Sequence, residues 1–179
     1  MQSIPLIAAQ AAQLTVFQRT PNFSVPAHNG PLADERMQQL RADRDAYHEA
    51  ARWSRMGVPG EATDLAGVST PEDVRRQRLE AAWEAGELRA ITSVFADQGV
   101  TPASNEIVAE FVREKIRDVV DDPGTAEALS PRDHYFGTKR PCLDTGYYET
   151  FNRPNVTLVN LRRTPVVEVT ARGVRTTDR

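Results

Sequence analysis

The sequence is short of several features, and each absence removes a class of protein. Its single cysteine, Cys142, cannot form an internal disulfide. No apolar run approaches the roughly 20 residues that a membrane-spanning helix needs, and the N-terminus lacks the basic, apolar and small-residue order of a signal peptide. We therefore expect a cytoplasmic protein that does not enter a membrane.

Neither sign of charge dominates the chain. The 22 basic and 25 acidic residues among 179 give a net charge of −3, so no overall positive field favours nucleic acid or an anionic membrane surface. His28, His48 and His134 are far apart and pair with no cysteine or carboxylate at metal-ligand spacing. The sequence predicts neither a nucleic-acid partner nor a metal site, and any phosphate must be bound locally.

The start of the chain predicts part of a nucleotide-binding domain. Residues 4–12 favour a helix that begins near the N-terminus, because Pro5 is tolerated only in a helix's first turn. Residues 14–18 favour a strand, and Arg19 follows it directly. In a dinucleotide-binding βαβ unit, an Arg at this place accommodates the 2′-phosphate of NADPH. An ordinary helix and strand followed by a surface Arg is the alternative explanation of these residues.

The segment 31–131 is charged, rich in alanine and helical in its periodicity, so it predicts a helical insertion. We expect a loop at 56–69 and four helices, of which the second occupies 70–99 and the fourth 122–129. The residues predicted to form the buried faces of the first three helices are, in chain order, Met37, Leu40, Tyr47, Ala50 and Ala51; Leu79, Ala82, Trp83, Leu88, Ile91 and Phe95; and Val108, Phe111, Val112, Ile116 and Val119.

The stretch 135–155 concentrates the chemically active residues. Gly137 and Gly146 permit backbone angles that other residues resist, and aromatic residues surround the adjacent cations Lys139 and Arg140. Such a loop can hold an anion beside a ring system, although two basic residues on a solvated turn among core aromatics have the same pattern. The chain after this loop predicts a buried strand and then a hairpin, at 156–161 and 166–177.

Three stretches carry a family resemblance: Leu-Thr-Val-Phe-Gln-Arg-Thr-Pro-Asn-Phe at 14–23, Phe-Gly-Thr-Lys-Arg-Pro at 136–141 and Gly-Tyr-Tyr-Glu-Thr-Phe-Asn-Arg at 146–153. They resemble the Baeyer-Villiger monooxygenases, which are flavoproteins that depend on FAD and NADPH. The resemblance runs the whole length of the chain and is greatest to enzymes that act on cyclic and aryl ketones.

The resemblance implies an α/β fold with a partial NADP-binding Rossmann-like domain, interrupted by a mostly α-helical insertion, within a flavoprotein that has two dinucleotide-binding domains. The partial NADP-binding domain would occupy 1–30 and the helical insertion 31–131. Residues 132–179 would form the active-site loop and return to the NADP- and FAD-binding domains.

The resemblance also implies roles for five residues. Gln2 would close the glycine turn around the NADP pyrophosphate. Arg19 and Thr20 would hold the 2′-phosphate of NADPH, with Lys139 close to the same group. Arg140 would be the active-site cation, because a fixed guanidinium stabilises negative charge best where water is excluded.

The implied reaction converts a ketone and O2 to an ester or lactone through a flavin peroxide, after NADPH has reduced the flavin. The FAD-binding glycine motif, the NADP glycine turn and the family's Phe-x-Gly…His signature do not occur in these 179 residues. We therefore expect an internal fragment that needs the N- and C-terminal parts of its own polypeptide and is inactive alone. Two alternatives stay open: a related flavoprotein that oxygenates nitrogen or sulfur, and an inactive truncated chain.

Overall fold

The computed structural model describes residues 1–28, 30–54, 57–59 and 63–178. Part of the predicted loop at 56–69, namely residues 56 and 60–62, lies outside this range. Within the described part of the chain, no helix is both long enough and apolar enough to cross a membrane.

The described residues form seven α-helices, six short strands and one 3-10 helix. The helices are α1 Ile4–Gln10, α2 Asp34–Ala42, α3 Arg44–Trp53, α4 Glu72–Glu84, α5 Leu88–Thr92, α6 Pro102–Val119 and α7 Pro123–Leu129. The strands are β1 Leu14–Gln18, β2 Ser24–Pro26, β3 Cys142–Asp144, β4 Val156–Asn160, β5 Val166–Thr170 and β6 Gly173–Thr176, with the 3-10 helix at Glu149–Asn152. The α/β fold class is confirmed.

Two parallel strand pairs join the two ends of the chain. Strand β1 pairs with β4 in a register that runs from Leu14 opposite Val156 to Gln18 opposite Asn160, and β2 pairs with β3 in the same sense. Parallel neighbours cannot be joined by a tight turn, and all the helices from α2 to α7 lie in the crossovers. The Asn155 side chain strengthens this junction by donating to the carbonyls of Ala8 and Ala11 at the end of α1, at 2.9 and 2.8 Å.

Helix α6 supplies most of the core. Eight of its residues are buried, and they include four of the five predicted for its apolar face; Val119 is only half-buried. The core also takes Phe23, which is fully buried and meets the Phe136 ring edge-on with 5.2 Å between centroids. Burial of a side chain of this size contributes about 1.5–3 kcal/mol, so α6 and the residues around it dominate the stability of the fold.

Two predictions about the helices were wrong. The stripe from Met37 to Ala51 was expected to be buried on one helix, but the helix is divided at Asp43 and neither α2 nor α3 buries a residue. Apolar spacing predicted the helices correctly and their burial incorrectly. The predicted helix at 70–99 is divided as well, because Gly86 has a φ of +63°, which ends α4 before α5 begins.

Asn105 on α6 connects the core to the loop that follows α7. Its amide nitrogen donates to the carbonyls of Gln98 and Phe136 at 2.8 and 2.9 Å, and its oxygen accepts from the Phe136 N–H at 2.8 Å. All three hydrogen bonds are buried. One side chain therefore satisfies both backbone groups of Phe136, three residues before the Lys139–Arg140 pair.

We expect Asn105→Ala to lower the free energy of unfolding by about 2–4 kcal/mol, because it leaves buried backbone groups without partners. Urea denaturation followed by circular dichroism measures this change. The matched control is Gln38→Ala, which removes an exposed amide from α2 and should change stability by no more than about 0.5 kcal/mol. Equal losses in the two variants would contradict the role given to Asn105.

Candidate functional site

The loop that carries Lys139 and Arg140 is held by its backbone. Gly137, at φ +86°, makes the turn in which the Thr138 N–H donates to the carbonyl of Tyr135. The carbonyl of Arg140 accepts a hydrogen bond from the Asn22 side chain at 3.0 Å. Beyond Arg140 the chain enters β3, so the backbone of both cations is fixed.

The side chains of Lys139 and Arg140 are exposed. Among the residues that the structure describes, no carboxylate lies within ion-pair distance of either cation. By contrast, the buried Arg113 on α6 is bonded to Glu106, Glu110 and the carbonyl of Pro131. The loop therefore presents two adjacent positive charges that are available to an external anion.

Arg19 and Thr20 lie at the carboxyl end of β1, at the edge where parallel strands of α/β folds bind ligands. The parallel register brings the end of β4 to the same edge, and with it Arg162, whose guanidinium donates to the Thr20 hydroxyl at 3.4 Å. The sequence reasoning missed Arg162. Its signal was the basic pair Arg162–Arg163 directly after a predicted strand.

A chain of polar contacts runs from this strand edge to the loop. Arg162 binds the Asp133 carboxylate, whose other oxygen lies 2.8 Å from Nδ1 of His134. Nε2 of His134 lies 3.3 Å from Oδ1 of Asn22, which in turn binds the Arg140 carbonyl. The hydrogen bond from His134, followed by that from Arg162, lowers the pKa of Asp133 to about 2, so Asp133 is ionised at any physiological pH.

The side chain of Gln2 forms its hydrogen bond at the second strand pair and not at the edge formed by β1 and β4. Its side-chain nitrogen donates to the carbonyl of Leu143 in β3 at 3.2 Å, so it ties the start of the chain to the second strand pair. The structure thus links Thr20, through Arg162 and the polar chain, to the backbone of Arg140. It shows no hydrogen bond between Gln2 and the other predicted site residues in the described ranges.

Known proteins resemble this chain over nearly its full length. It is 39% identical to 2-oxo-Δ3-4,5,5-trimethylcyclopentenylacetyl-CoA monooxygenase from Pseudomonas putida, over 99% of this chain and 33% of the relative. It is 37% identical to a phenazine N-monooxygenase from Lysobacter antibioticus, over 99% and 33%. It is 34% identical to a Baeyer-Villiger monooxygenase from Pseudooceanicola batsensis, over 98% and 32%. No protein-family model matches the chain.

The three-dimensional comparison agrees. An oxidised steroid monooxygenase bound to NADP superposes with a TM-score of 0.92 and is 44% identical, over 99% of this chain and 34% of that one. The chain is therefore similar to Baeyer-Villiger monooxygenases over almost its whole length. It spans about a third of the length of the relatives that it matches.

The residues just after the loop form a buried polar cluster. The Asp144 carboxylate accepts from the Ser24 hydroxyl and, at 3.2 Å, from the N–H of Tyr147, while the Tyr148 hydroxyl accepts from the Ser24 N–H at 3.1 Å. Burial raises the pKa of Tyr147 to about 12 and raises that of Tyr148 further. Both phenols are neutral and belong to the core of the described structure.

Asp144 should make the stability of the protein depend on pH. Burial raises the pKa of its carboxyl group, so the folded protein holds this proton more tightly than the unfolded chain does. The ionised group therefore costs stability, and the cost is absent below the unfolded value of about pH 4 and grows as the pH rises above it.

We expect Asp144→Asn to gain stability relative to the wild type as the pH rises from about 4 to 7, with a constant difference below about pH 4. Urea denaturation of both proteins across this range measures the difference. Any fixed loss from the altered hydrogen bonds is the same at every pH. Asp118→Asn, at an exposed position of α6, is the control, and a difference that falls with pH would show that the sign is wrong.

Proposed function

We propose that this chain is the NADP-binding and active-site-loop segment of a flavin-dependent Baeyer-Villiger monooxygenase, which uses NADPH, FAD and O2 to convert a ketone to an ester or lactone. Homology over the whole chain supports the family of reaction. The observation that carries the proposal is the exposed Arg140, which has no ion-pair partner among the described residues and lies on a loop whose backbone is fixed by a buried hydrogen bond at Phe136 and an exposed one at Arg140 itself.

We assign residues 1–30 to the NADP-binding domain, 31–131 to a helical insertion and 132–179 to the active-site loop and the return to the cofactor domains. The parallel pairing of β1 with β4 across the helices is consistent with this division. We place the complete enzyme in the cytoplasm. The activity belongs to the longer polypeptide, whose other parts would contact FAD.

The first anion that we assign to the site is the 2′-phosphate of NADPH. Arg19 is exposed at the carboxyl end of β1, and the Thr20 hydroxyl beside it already accepts from Arg162. A guanidinium and a hydroxyl at the end of this strand fit the 2′-phosphate of NADPH. We assign Lys139 to the same phosphate and Gln2 to the pyrophosphate. Bound FAD, once reduced by NADPH, would supply the activated oxygen.

Arg140 would stabilise a second negative charge, the one that develops on the ketone oxygen during the reaction. When the carbonyl carbon of a ketone is attacked, negative charge develops on the ketone oxygen. A guanidinium whose backbone is already fixed can be directed at that oxygen and stabilises the charge there. It also keeps its proton where a buried ammonium group would lose it.

A second candidate reaction follows from the 37% identity to a phenazine N-monooxygenase. Oxygenation of an aromatic nitrogen creates no charge on a carbonyl oxygen, so it does not need Arg140 in this role. Product analysis with a cyclic ketone and with phenazine separates the two reactions. An N-oxide formed without any lactone would favour the second.

In the full-length flavoenzyme, we expect Arg140→Ala to slow ester formation by roughly 10²-fold or more, while anaerobic reduction of the flavin by NADPH persists. Stopped-flow absorbance measures the reduction, and gas chromatography measures the ester. The control is Lys139→Ala, which should weaken NADPH binding but leave ester formation nearly unchanged at saturating cofactor. Normal ester formation by the Arg140 variant would rule out its role.

We also expect Arg19→Ala to raise the KM for NADPH by roughly tenfold or more, because a charge-assisted hydrogen bond to phosphate is lost. The KM for NADH should change little, since NADH has no 2′-phosphate. Steady-state kinetics with both cofactors tests this, with Arg172→Ala in the turn of the exposed hairpin as the control. Equal losses for NADPH and NADH would refute the assignment.

A further inference from the structure

We propose that His134 is a positioning residue for Arg140, and that it acts in its doubly protonated form through the side chain of Asn22. The link to catalysis rests on the proposed function of Arg140. The link between the two side chains rests on the structure alone, since it follows from which atoms face each other.

The orientation of the Asn22 amide is settled by its partners. A backbone carbonyl can only accept a hydrogen bond, so the amide group that lies 3.0 Å from the Arg140 oxygen must be the nitrogen. The same nitrogen lies 3.7 Å from Sγ of Cys142. The amide oxygen therefore points the other way, to Nε2 of His134 at 3.3 Å, and it can only accept.

Both ring nitrogens of His134 consequently face acceptors. Nδ1 lies 2.8 Å from the Asp133 carboxylate, and Nε2 faces the amide oxygen of Asn22. A neutral imidazole carries one N–H and satisfies only one of these contacts, whereas the imidazolium satisfies both. Because a bond to a carboxylate is the stronger of the two, the neutral ring keeps its proton on Nδ1. Loss of the second proton thus breaks the contact with Asn22.

The consequence reaches the loop through one amide. When Nε2 loses its proton, its lone pair faces the lone pairs of the Asn22 oxygen, and this repulsion favours rotation of the side chain. Rotation would take the amide nitrogen away from the Arg140 carbonyl. The backbone of Arg140 then loses the hydrogen bond described above, and the guanidinium is held less firmly.

Charged groups reach His134 from three sides. The Asp133 carboxylate lies against Nδ1 of the ring, and Arg162 binds the other oxygen of Asp133. On the side of α6, the Phe23 ring meets the His134 ring edge-on at 5.4 Å, and the Arg113 guanidinium lies 6.0 Å from the same Phe23 ring, partly neutralised by Glu106 and Glu110. The His134 side chain itself is only 8% exposed.

Nuclear magnetic resonance of the wild-type chain tests the coupling directly. Two-bond proton–nitrogen spectra report the protonation of each His134 nitrogen, and the Asn22 side-chain amide is followed in the same titration. We expect an imidazolium at low pH, and an Asn22 signal that shifts with the midpoint of His134. The proposal would be overturned if the Asn22 amide signal did not change during the His134 titration, or if His134 were neutral at every pH.

Two variants test the catalytic consequence in the full-length enzyme. His134→Gln should slow ester formation by about two- to tenfold, the rate equivalent of one lost hydrogen bond. We expect the wild type to lose rate as His134 gives up its second proton, and His134→Gln should remove that dependence on pH. Asn22→Asp cannot donate to the Arg140 carbonyl. At low pH it should therefore form ester at the same reduced rate as His134→Gln. His48→Gln, on the exposed face of α3, is the control.

A merely structural role for His134 predicts a different outcome. The melting temperature and the KM for NADPH would change while the pH profile of ester formation stayed that of the wild type, and this result would refute the proposal. If the enzyme oxidises no ketone at all, the proposed function fails. The coupling of His134 to Asn22 is then still decided by the spectra.

Discussion

The parallel pairing of β1 with β4 is the constraint on which the rest of the structure depends. It places Gln18 beside Asn160, so that the residues which follow each strand emerge at one edge. Gln18 also donates to the carbonyl of Ala128 at 2.8 Å, which fixes the end of α7 against the same edge. The chain that leaves α7 therefore starts from this edge towards the loop that carries Lys139 and Arg140. The second parallel pair, β2 with β3, completes the link, because the Cys142 N–H donates to the carbonyl of Phe23 at 2.9 Å and so brings the predicted active-site cation next to the end of β1.

Amide groups, not ion pairs, hold the loop in place. Asn105 and Asn22 bind its backbone, and each such hydrogen bond contributes about 1 kcal/mol net, comparable to the best of the exposed ion pairs. This choice has a chemical advantage. Carboxylates around the loop would neutralise Lys139 and Arg140, whereas neutral amides fix the backbone and leave both positive charges available to a ligand.

Local patterns predicted most of the elements but not their surroundings. The strand at 14–18, helix α7 after Asp122 and the hairpin about Gly173 were predicted correctly, because turn residues, caps and β-branched runs act over a few positions. The burial of α2 and α3 was wrong because periodicity shows which face is apolar and not what covers it. The partnership of His134 with Asn22 could not be predicted, since it depends on a tertiary register between residues far apart in sequence.

The burial of Asn105 on α6 has a consequence for motion. Helices α2 and α3 bury no residue, so they can open locally at small free-energy cost. Helix α6 cannot open without exposing eight buried residues, and Phe136 is bonded to it. Phe136, at the base of the loop that carries Lys139 and Arg140, is therefore as resistant to opening as the core itself. Local opening of the outer helices therefore leaves the hydrogen bonds of Phe136 in place.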